Sequence, residues 1–590
     1  MTFFFGCVII INKVFTQFGA KTRLAASKPR KRKIGAFHKR ERDEMKRLDR
    51  LTPEGTRDLF FEDFEQVKKI EDTLAALFSE SGYRGISTPA IEFYDVFSAG
   101  VGAISQQDMY ILADSKGRLM ALRPDSTKPV ARLVSTRLKN QSPPFRLYYC
   151  QSVYKRNKGE NLLYDEVRQA GIELVGLGGL EGDIEALLLA ARSLERTCGK
   201  GFLLEIGHMG FFTQIINSTD FPEEVKQDIK DKIEAKNYPA LSTLLEKFPK
   251  SESVGALLRM PALYGGIEVL DEARRLIRGA ADGVLGHIGK VYAALKEHGF
   301  EKNLAIDLGL LNGYGYYSGL VLKGYAFGAS EAVLSGGRYD YLYGDYGLGY
   351  PAIGFAINTE QLLKQREQGA RQQGEKRPLS IALTKGRLEK HAIELFKKAG
   401  VDCCPLDSKG RKLVIRVRAG EQELDVVFAK AADVITYVEH GACDMGIVGK
   451  DTIMEQGKSF YEMLDLGFGR CRLVLAAKKG RNFYGGYGVK TIATKFPKVA
   501  AQFFEGKKMN VDIIKIDGSV ELTPLLELAD GIVDITETGT TLRENGLEVV
   551  EEIADISAKL IVNTASLKTK REKLESFISL LKGAMNGRDI

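Results

Sequence analysis

From Asp534 to Leu542 the chain reads DITETGTTL, an acid followed by small hydroxyl residues around one glycine. The preceding segment, LADGIVDI, is an apolar run of strand length, so the loop sits at a strand end. A strand end followed by Thr538, Gly539, Thr540 and Thr541 offers consecutive backbone N–H groups and three hydroxyl donors in a small space, which is a nest for a phosphate dianion. The same string also fits an ordinary Thr/Gly turn. What surrounds it must decide.

At 590 residues the chain exceeds a single hydrophobic core and is expected to form three or four domains. With 44% hydrophobic and 27% charged residues, the composition is that of a soluble globular protein. Seven scattered cysteines without C-x-x-C spacing, and six histidines that do not cluster with them, suggest neither a zinc site nor a disulfide framework, and a reducing cytosol fits them. The net charge of +8 is concentrated at the start, where residues 1–50 hold 14 Lys/Arg against 4 Asp/Glu. The rest is close to neutral, which argues against a body that grips a polyanion such as tRNA by overall charge. The apolar stretch near the N-terminus is far shorter than a membrane span, and the basic run follows it instead of preceding it as in a signal peptide. Residues 1–50 read as a basic extension: a disordered tail, a targeting segment, or an over-extended start with Met45 as the first residue.

The elements that must position the loop follow from periodicity. FEQVKKIEDTLAALF has helical spacing; ISTPAIEF is extended; FRLYYCQSVYK and VRQAGIELVG alternate as strands, and residues near 183–300 read as helical. LAIDLGL, GYYSGLVL and YPAIGFAI are again strand-like. Residues 363–378, Gln-rich and without apolar periodicity, read as a linker. From Leu379 strands alternate with helices, the pattern of a doubly wound α/β region. The expected division is therefore 1–50, 51–362, 363–378 and 379–590.

Between Thr52 and Glu360 the strings TPEGTRDLF, TPAIE, LRPDST, VRQAGIELVG, GYYSG and SGGRYDYLYGDYGLGYPAIGFAI occur in the order found in the catalytic domain of histidyl-tRNA synthetases, which this region resembles. The resemblance implies a class II synthetase fold, an α+β domain built on an antiparallel sheet, and a dimer interface. It places Glu92, Gln169, Glu173, Tyr316 and Tyr317 where histidine would be recognised by carboxylate, amide and phenol groups. Phe93 and Tyr94 follow Glu92 where a smaller hydroxyl residue is common in synthetases. Asn312 stands where synthetases have an arginine, and Lys155 and Asn157 stand for the arginine and acid of their second class motif. Asparagine supplies no charge and lysine does not copy the guanidinium fork. Aminoacylation is therefore expected to be lost, and the pattern resembles the regulatory subunit of ATP phosphoribosyltransferase, whose histidine pocket would be a sensor.

From Leu379 to Ile590, IALTKGRL, ADVITYVEHGACDMGIVGKD, LDLGFGRCRL and KIDGSVELTPLLELADGIVDITETGTTLRENGL resemble the short-form catalytic subunit of ATP phosphoribosyltransferase. One departure is Ile435, where proline is expected at a turn. The resemblance implies a two-lobed α/β domain, like periplasmic binding proteins, with its site in the cleft. It also implies transfer of the phosphoribosyl group of phosphoribosyl pyrophosphate (PRPP) to N1 of ATP, the entry step of histidine biosynthesis. Thr538, Gly539, Thr540 and Thr541 would hold the 5-phosphate; Asp534 and Glu537 would accept from the ribose hydroxyls. Lys385 and Arg387 are candidates for polyphosphate contacts and Glu521 for orienting ribose or metal, while Asp465 and Arg470 read equally well as structural. No dedicated metal ligands are assigned, Mg²⁺ being carried by PRPP. The joined halves imply a histidine-inhibited cytoplasmic enzyme assembled as a homo-oligomer, binding neither nucleic acid nor membrane. Two other readings stay open: an active histidyl-tRNA synthetase with an appended domain, and a PRPP-binding module without catalysis.

Overall fold

In the computed structural model, which describes residues 50–156, 164–277, 279, 281–311, 315–363, 377–407, 410–457, 460–585 and 587, the helix Phe61–Glu80 illustrates how the first half is built. Its buried residues Val67, Ile70, Leu74, Leu77 and Phe78 recur at helical spacing and form one apolar stripe. That stripe packs, with the helix Gly179–Cys198, on one face of a nine-stranded sheet. Each fully buried Leu or Ile there contributes about 1.5–3 kcal/mol. Glu71 is buried in the same helix and accepts from Arg168 Nε and Nη2, each at 2.8 Å, which ties the helix to the strand Glu166–Val175.

Across the sheet the strands run Arg84–Gly85, Phe145–Tyr154, Glu166–Val175, Ala352–Asn358, Leu334–Arg338, Leu320–Ala326, Phe202–His208, Leu304–Asp307 and Tyr264–Gly265. Pairing is antiparallel except at Arg84–Gly85 and between Phe202–His208 and Leu304–Asp307. The alternation of strand side chains sorts the two faces. In Glu166–Val175, Ala170, Ile172 and Leu174 enter the large core. Gln169, Gly171 and Glu173 therefore point to the opposite face, where Tyr149, Tyr316, Tyr339 and Tyr343 gather. The interval 183–300 is helical, as expected, but also contains the strand Phe202–His208. FLLEIGH is buried on both faces, so its apolar run carries no alternation to distinguish it from helix.

The second half consists of two sheets. One orders Val401–Asp402, Val414–Ala419, Gln422–Ala429, Leu379–Thr384, Met445–Gly449, Ala558–Asn563 and Phe460–Asp465. The other orders Val511–Lys515, Lys490–Thr494, Gly531–Thr536, Cys471–Lys478 and Leu547–Ile556. The chain leaves the first sheet after Asp465 and returns at Ala558, so two short crossings join two lobes. Asp465 and Arg470 serve the first crossing. Asp465 pairs with Lys559 at 2.7 Å and accepts from the Gly467 N–H, and Arg470 donates to the Gly467 carbonyl at 3.1 Å. Ile435 lies buried within the helix Ala431–Glu439, so the departure from proline falls in a packed helix and not in a turn. The basic extension up to residue 49, and residues 364–376 of the expected linker, lie outside the described residues.

At the start of the helix Met209–Asn217, His208 Nδ1 accepts a hydrogen bond from the Gly210 N–H at 3.0 Å. Burial, followed by the neighbouring His287, lowers the His208 pKa from 6.5 to about 4. Between those values the unfolded chain binds a proton that the folded chain refuses, so stability falls as pH drops from 6.5 toward 4. His208→Asn keeps the capping acceptor and does not titrate. Its apparent Tm, followed by scanning fluorimetry, is expected to fall several degrees less over that window than the parent's; equal losses would remove His208 as the cause.

Candidate functional site

The DITETGTTL loop occupies the end of Gly531–Thr536, the central strand of the five-stranded sheet, and leads into the short helix Thr540–Glu544. Gly539 has φ 71°, the left-handed region that turns the chain from strand into helix. Within the loop the Gly539 N–H donates to Thr536 Oγ1 at 3.0 Å, and the hydroxyls of Thr538 and Thr540 lie 2.9 Å apart. Arg543, three residues past Thr540, donates to the Thr540 hydroxyl at 3.2 Å, and a Cβ on Gly539 would come within 3.1 Å of its guanidinium. The nest is thus flanked by a cation that sequence reading missed. Its spacing of three along a helix beginning at Thr540 was the available signal.

Asp534 is buried below the loop and accepts from the Ile535 N–H at 2.8 Å. Burial raises its pKa; Lys495 opposes the rise, and the Glu521 and Asp451 carboxylates add to it. Asp451 lies in the first turn of the helix Lys450–Gln456 of the other lobe, and burial raises its own pKa. Neither Asp451 nor Lys495 was singled out from sequence, because each follows an unremarkable strand. Glu537 reaches across the cleft to Arg387, at 2.5 Å, on the first residue of the helix Arg387–Lys398. Lys385 is exposed two residues before it, past the end of Leu379–Thr384. Strand ends from both lobes therefore face one cleft, the usual ligand position in open α/β sheets. Among the described residues no three His, Cys, Asp or Glu side chains converge as a metal cage.

A second site lies in the first half. Gln169, Glu173, Tyr316 and Tyr317 line one pocket together with Asp125 and Lys155. Two glycines make its room: a Cβ on Gly354 would lie 2.1 Å from Glu173 Oε2, and one on Gly336 would lie 2.3 Å from the Gly354 carbonyl. Glu173 is buried and accepts from the hydroxyls of Thr127, at 2.9 Å, and Tyr339. Burial raises its pKa well above the usual carboxylate range. Asp125, from LRPDST, is also buried and shifted upward by burial; its Oδ1 accepts from the Lys128 N–H, while its Oδ2 has no hydrogen-bond partner among the described residues. Asp125 was not singled out from sequence, where LRPDST served only as one of the strings carrying the resemblance. Glu92 stands apart from this wall, on the strand Ile91–Phe93, with its carboxylate on Arg132 at 2.7 Å. Asn157 and Asn312 lie outside the described residues.

Comparison with known proteins agrees with this architecture. The family model described as histidyl-tRNA synthetase matches residues 55–362, and that described as ATP phosphoribosyltransferase matches residues 430–583. An ATP phosphoribosyltransferase of Clostridium kluyveri is 55% identical over 210 residues, covering 36% of this chain and 95% of that protein. An ATP phosphoribosyltransferase regulatory subunit of Clostridium acetobutylicum is 37% identical over 325 residues, covering 54% of this chain and 79% of that protein. A solved ATP phosphoribosyltransferase regulatory subunit/histidyl-tRNA synthetase from Bacillus halodurans is similar at TM-score 0.50 and 28% identity, over 65% of this chain and 93% of that chain. With a cleft carrying a Thr/Gly loop at a strand end in one half and a synthetase-like sheet in the other, the chain belongs to the ATP phosphoribosyltransferase family, its catalytic part joined to a histidyl-tRNA-synthetase-like regulatory part in one polypeptide.

Proposed function

We propose that the cleft transfers the phosphoribosyl group of PRPP to ATP with the residues described above, and that the pocket of the first half senses histidine and inhibits the transfer. The single observation that carries the reading is the cleft itself: a phosphate nest at Thr538–Thr541 and a carboxylate cluster around Asp534 face the basic turn of the other lobe through the Arg387–Glu537 pair. In the reaction a bond forms between adenine N1 and the ribose carbon while the bond from that carbon to pyrophosphate breaks. The N1 lone pair is free at neutral pH, so no general base is required to create the nucleophile. What the protein supplies is charge placement. Loop N–H groups, hydroxyls and Arg543 hold the 5-phosphate; Lys385 and Arg387 meet polyphosphate; Asp534, Glu537 and Glu521 orient the ribose and face the positive charge that grows on its carbon. Closure of the lobes excludes water, which would otherwise attack that carbon. The neighbouring Asp534 and Glu521 carboxylates fit Mg²⁺ arriving with PRPP, an ion that binds through one or two carboxylates plus substrate phosphates. Asp534 and Glu521 would hold it, and it would neutralise the departing pyrophosphate.

The sensor reading is supported by two buried carboxyl groups, Asp125 and Glu173, in a pocket framed by tyrosines. Such a pocket calls for N–H donors, which an imidazole and an ammonium provide. Lys155, without a guanidinium fork, argues against amino-acid activation there. For the homo-oligomer, the support is an apolar sheet face: Ile91, Phe93 and Leu112 are exposed on one side of the three-stranded sheet of this half. No helix among the described residues is long and apolar enough to cross a membrane.

Purified protein given ATP, PRPP and Mg²⁺ is expected to form phosphoribosyl-ATP, followed by ultraviolet absorbance, and histidine is expected to suppress it. Product indifferent to histidine would eliminate the sensor, and tight PRPP binding without product would favour a non-catalytic binder. Replacing Arg543 by Gln removes a charge-assisted contact and should raise KM for PRPP by about tenfold or more while KM for ATP changes little. A loss of Tm with both KM values intact would instead make Arg543 structural. Glu173→Gln should weaken histidine inhibition by about tenfold without lowering kcat. Calorimetric titration of histidine with and without PRPP checks the linkage, since equal affinities in both states would rule out coupling.

A further inference from the structure

The two strands that lead into the interlobe crossings are neighbours. Phe460–Asp465, the edge strand of the seven-stranded sheet, precedes the crossing at 466–470, and Ala558–Asn563 follows the crossing at Ser557. The synthetase-like half touches the catalytic half on both. Against the edge strand, Asn237 forms a parallel bridge with Glu462, and the Glu462 N–H donates to the Lys236 carbonyl at 3.1 Å. The Tyr238 ring stacks on Tyr461 at 5.8 Å, and the Lys236 ammonium lies 4.5 Å from the Tyr461 ring centre. At the second strand, Asn563 donates to the Ser330 carbonyl at 3.2 Å. The helix Thr564–Thr569, directly after it, inserts Lys568 between Asp307 at 2.7 Å and Glu205 at 3.1 Å, with its ammonium 3.9 Å from the Tyr264 ring centre.

One of these anchors connects to the pocket by a short path across the sheet. In the nine-stranded sheet Glu205 is the register partner of Lys323, and Lys323 of Ser335, which lines the pocket. We propose that the synthetase-like half governs the catalytic half by gripping its two hinge strands, with Lys568 as the positioning residue that fixes the grip. This rests on reading the pocket as a histidine sensor. Withdrawing Lys568 would leave two buried carboxylates without their cation, so the contact resists gradual loosening and passes a shift of the sheet on to the hinge. Histidine would then inhibit by favouring the sheet position in which the lobes do not close, to the extent that it binds that position more tightly.

The test compares the wild-type chain with Lys568→Met and with the triple variant Lys568→Met/Asp307→Asn/Glu205→Gln, which removes the lysine together with both carboxylates that face it. Hydrogen–deuterium exchange without any ligand is followed in peptides spanning 466–470 and 556–558. In the triple variant both crossings are expected to exchange roughly tenfold faster, with strand Glu166–Val175 unchanged. Histidine affinity should stay within about threefold of wild type while the histidine concentration that halves activity rises by about tenfold. Wild-type exchange at the crossings, or an unchanged histidine midpoint in a wild-type enzyme that histidine inhibits, would overturn the grip. If histidine does not inhibit the wild-type chain, the sensor reading fails, and the exchange comparison still decides the grip.

Discussion

Three charges that have left water together hold this chain in its arrangement. Lys568 comes from the catalytic half, and Glu205 and Asp307 from the synthetase-like half, all buried. Burial opposes the lysine's charge, but the two carboxylates overcome that opposition and keep its ammonium above the ordinary range. Removing one member of such a cluster costs about 3–5 kcal/mol, because its partners remain buried without compensation. Nearby, Lys236 shows the opposite outcome: burial first, and then Lys323 and Lys568, push its pKa down to about 7. Positive charge at this junction is therefore rationed by position, and the carboxylates favour Lys568. Elements as far apart in sequence as Glu205 and Lys568 acquire a fixed relation through this cluster.

The catalytic cleft depends on that constraint through the strands it holds. Gly531–Thr536 and Leu379–Thr384 belong to different lobes, and their ends meet only when the two crossings set the lobes facing one another. The Arg387–Glu537 pair spans the gap at an exposed position, where a salt bridge contributes little stability and yields readily to a polyanionic substrate. The nest needs no such help. Gly539 in the left-handed region and the Thr536 hydroxyl shape it locally, within one turn of chain.

The synthetase-like pocket is shaped by a different economy of space. Gly336 and Gly354 let adjacent strands and the Glu173 carboxylate occupy volume that any side chain would fill. The result is a concave floor with two buried carboxyl groups, one of which keeps an unpartnered oxygen turned to the cavity lining. Burial holds both toward their neutral form, so a ligand bringing N–H donors would compensate groups that otherwise carry a desolvation penalty.

Much of this was legible in the residue order. Strand alternation in VRQAGIELVG was readable from periodicity, and a Thr/Gly loop at a strand end was readable from DITETGTTL, while the roles of Gln169, Glu173 and that loop came from the resemblance of the strings around them. What the order of residues did not disclose are relations between segments that lie far apart in the chain. Arg543 beside the nest, Asp451 opposite Asp534, the pairing of Glu92 with Arg132 and the insertion of Lys568 between Glu205 and Asp307 each depend on where other elements come to rest. By itself the sequence determined the family resemblance, because that rests on residue strings in order, and the local elements and the Thr/Gly loop, because those rest on periodicity and on contacts within a few residues. The charge pairs that line the cleft, the pocket's half-satisfied carboxyl group and the joint between the halves were decided by tertiary structure alone, because burial and charge pairing are properties of a packed space that no short stretch of chain contains.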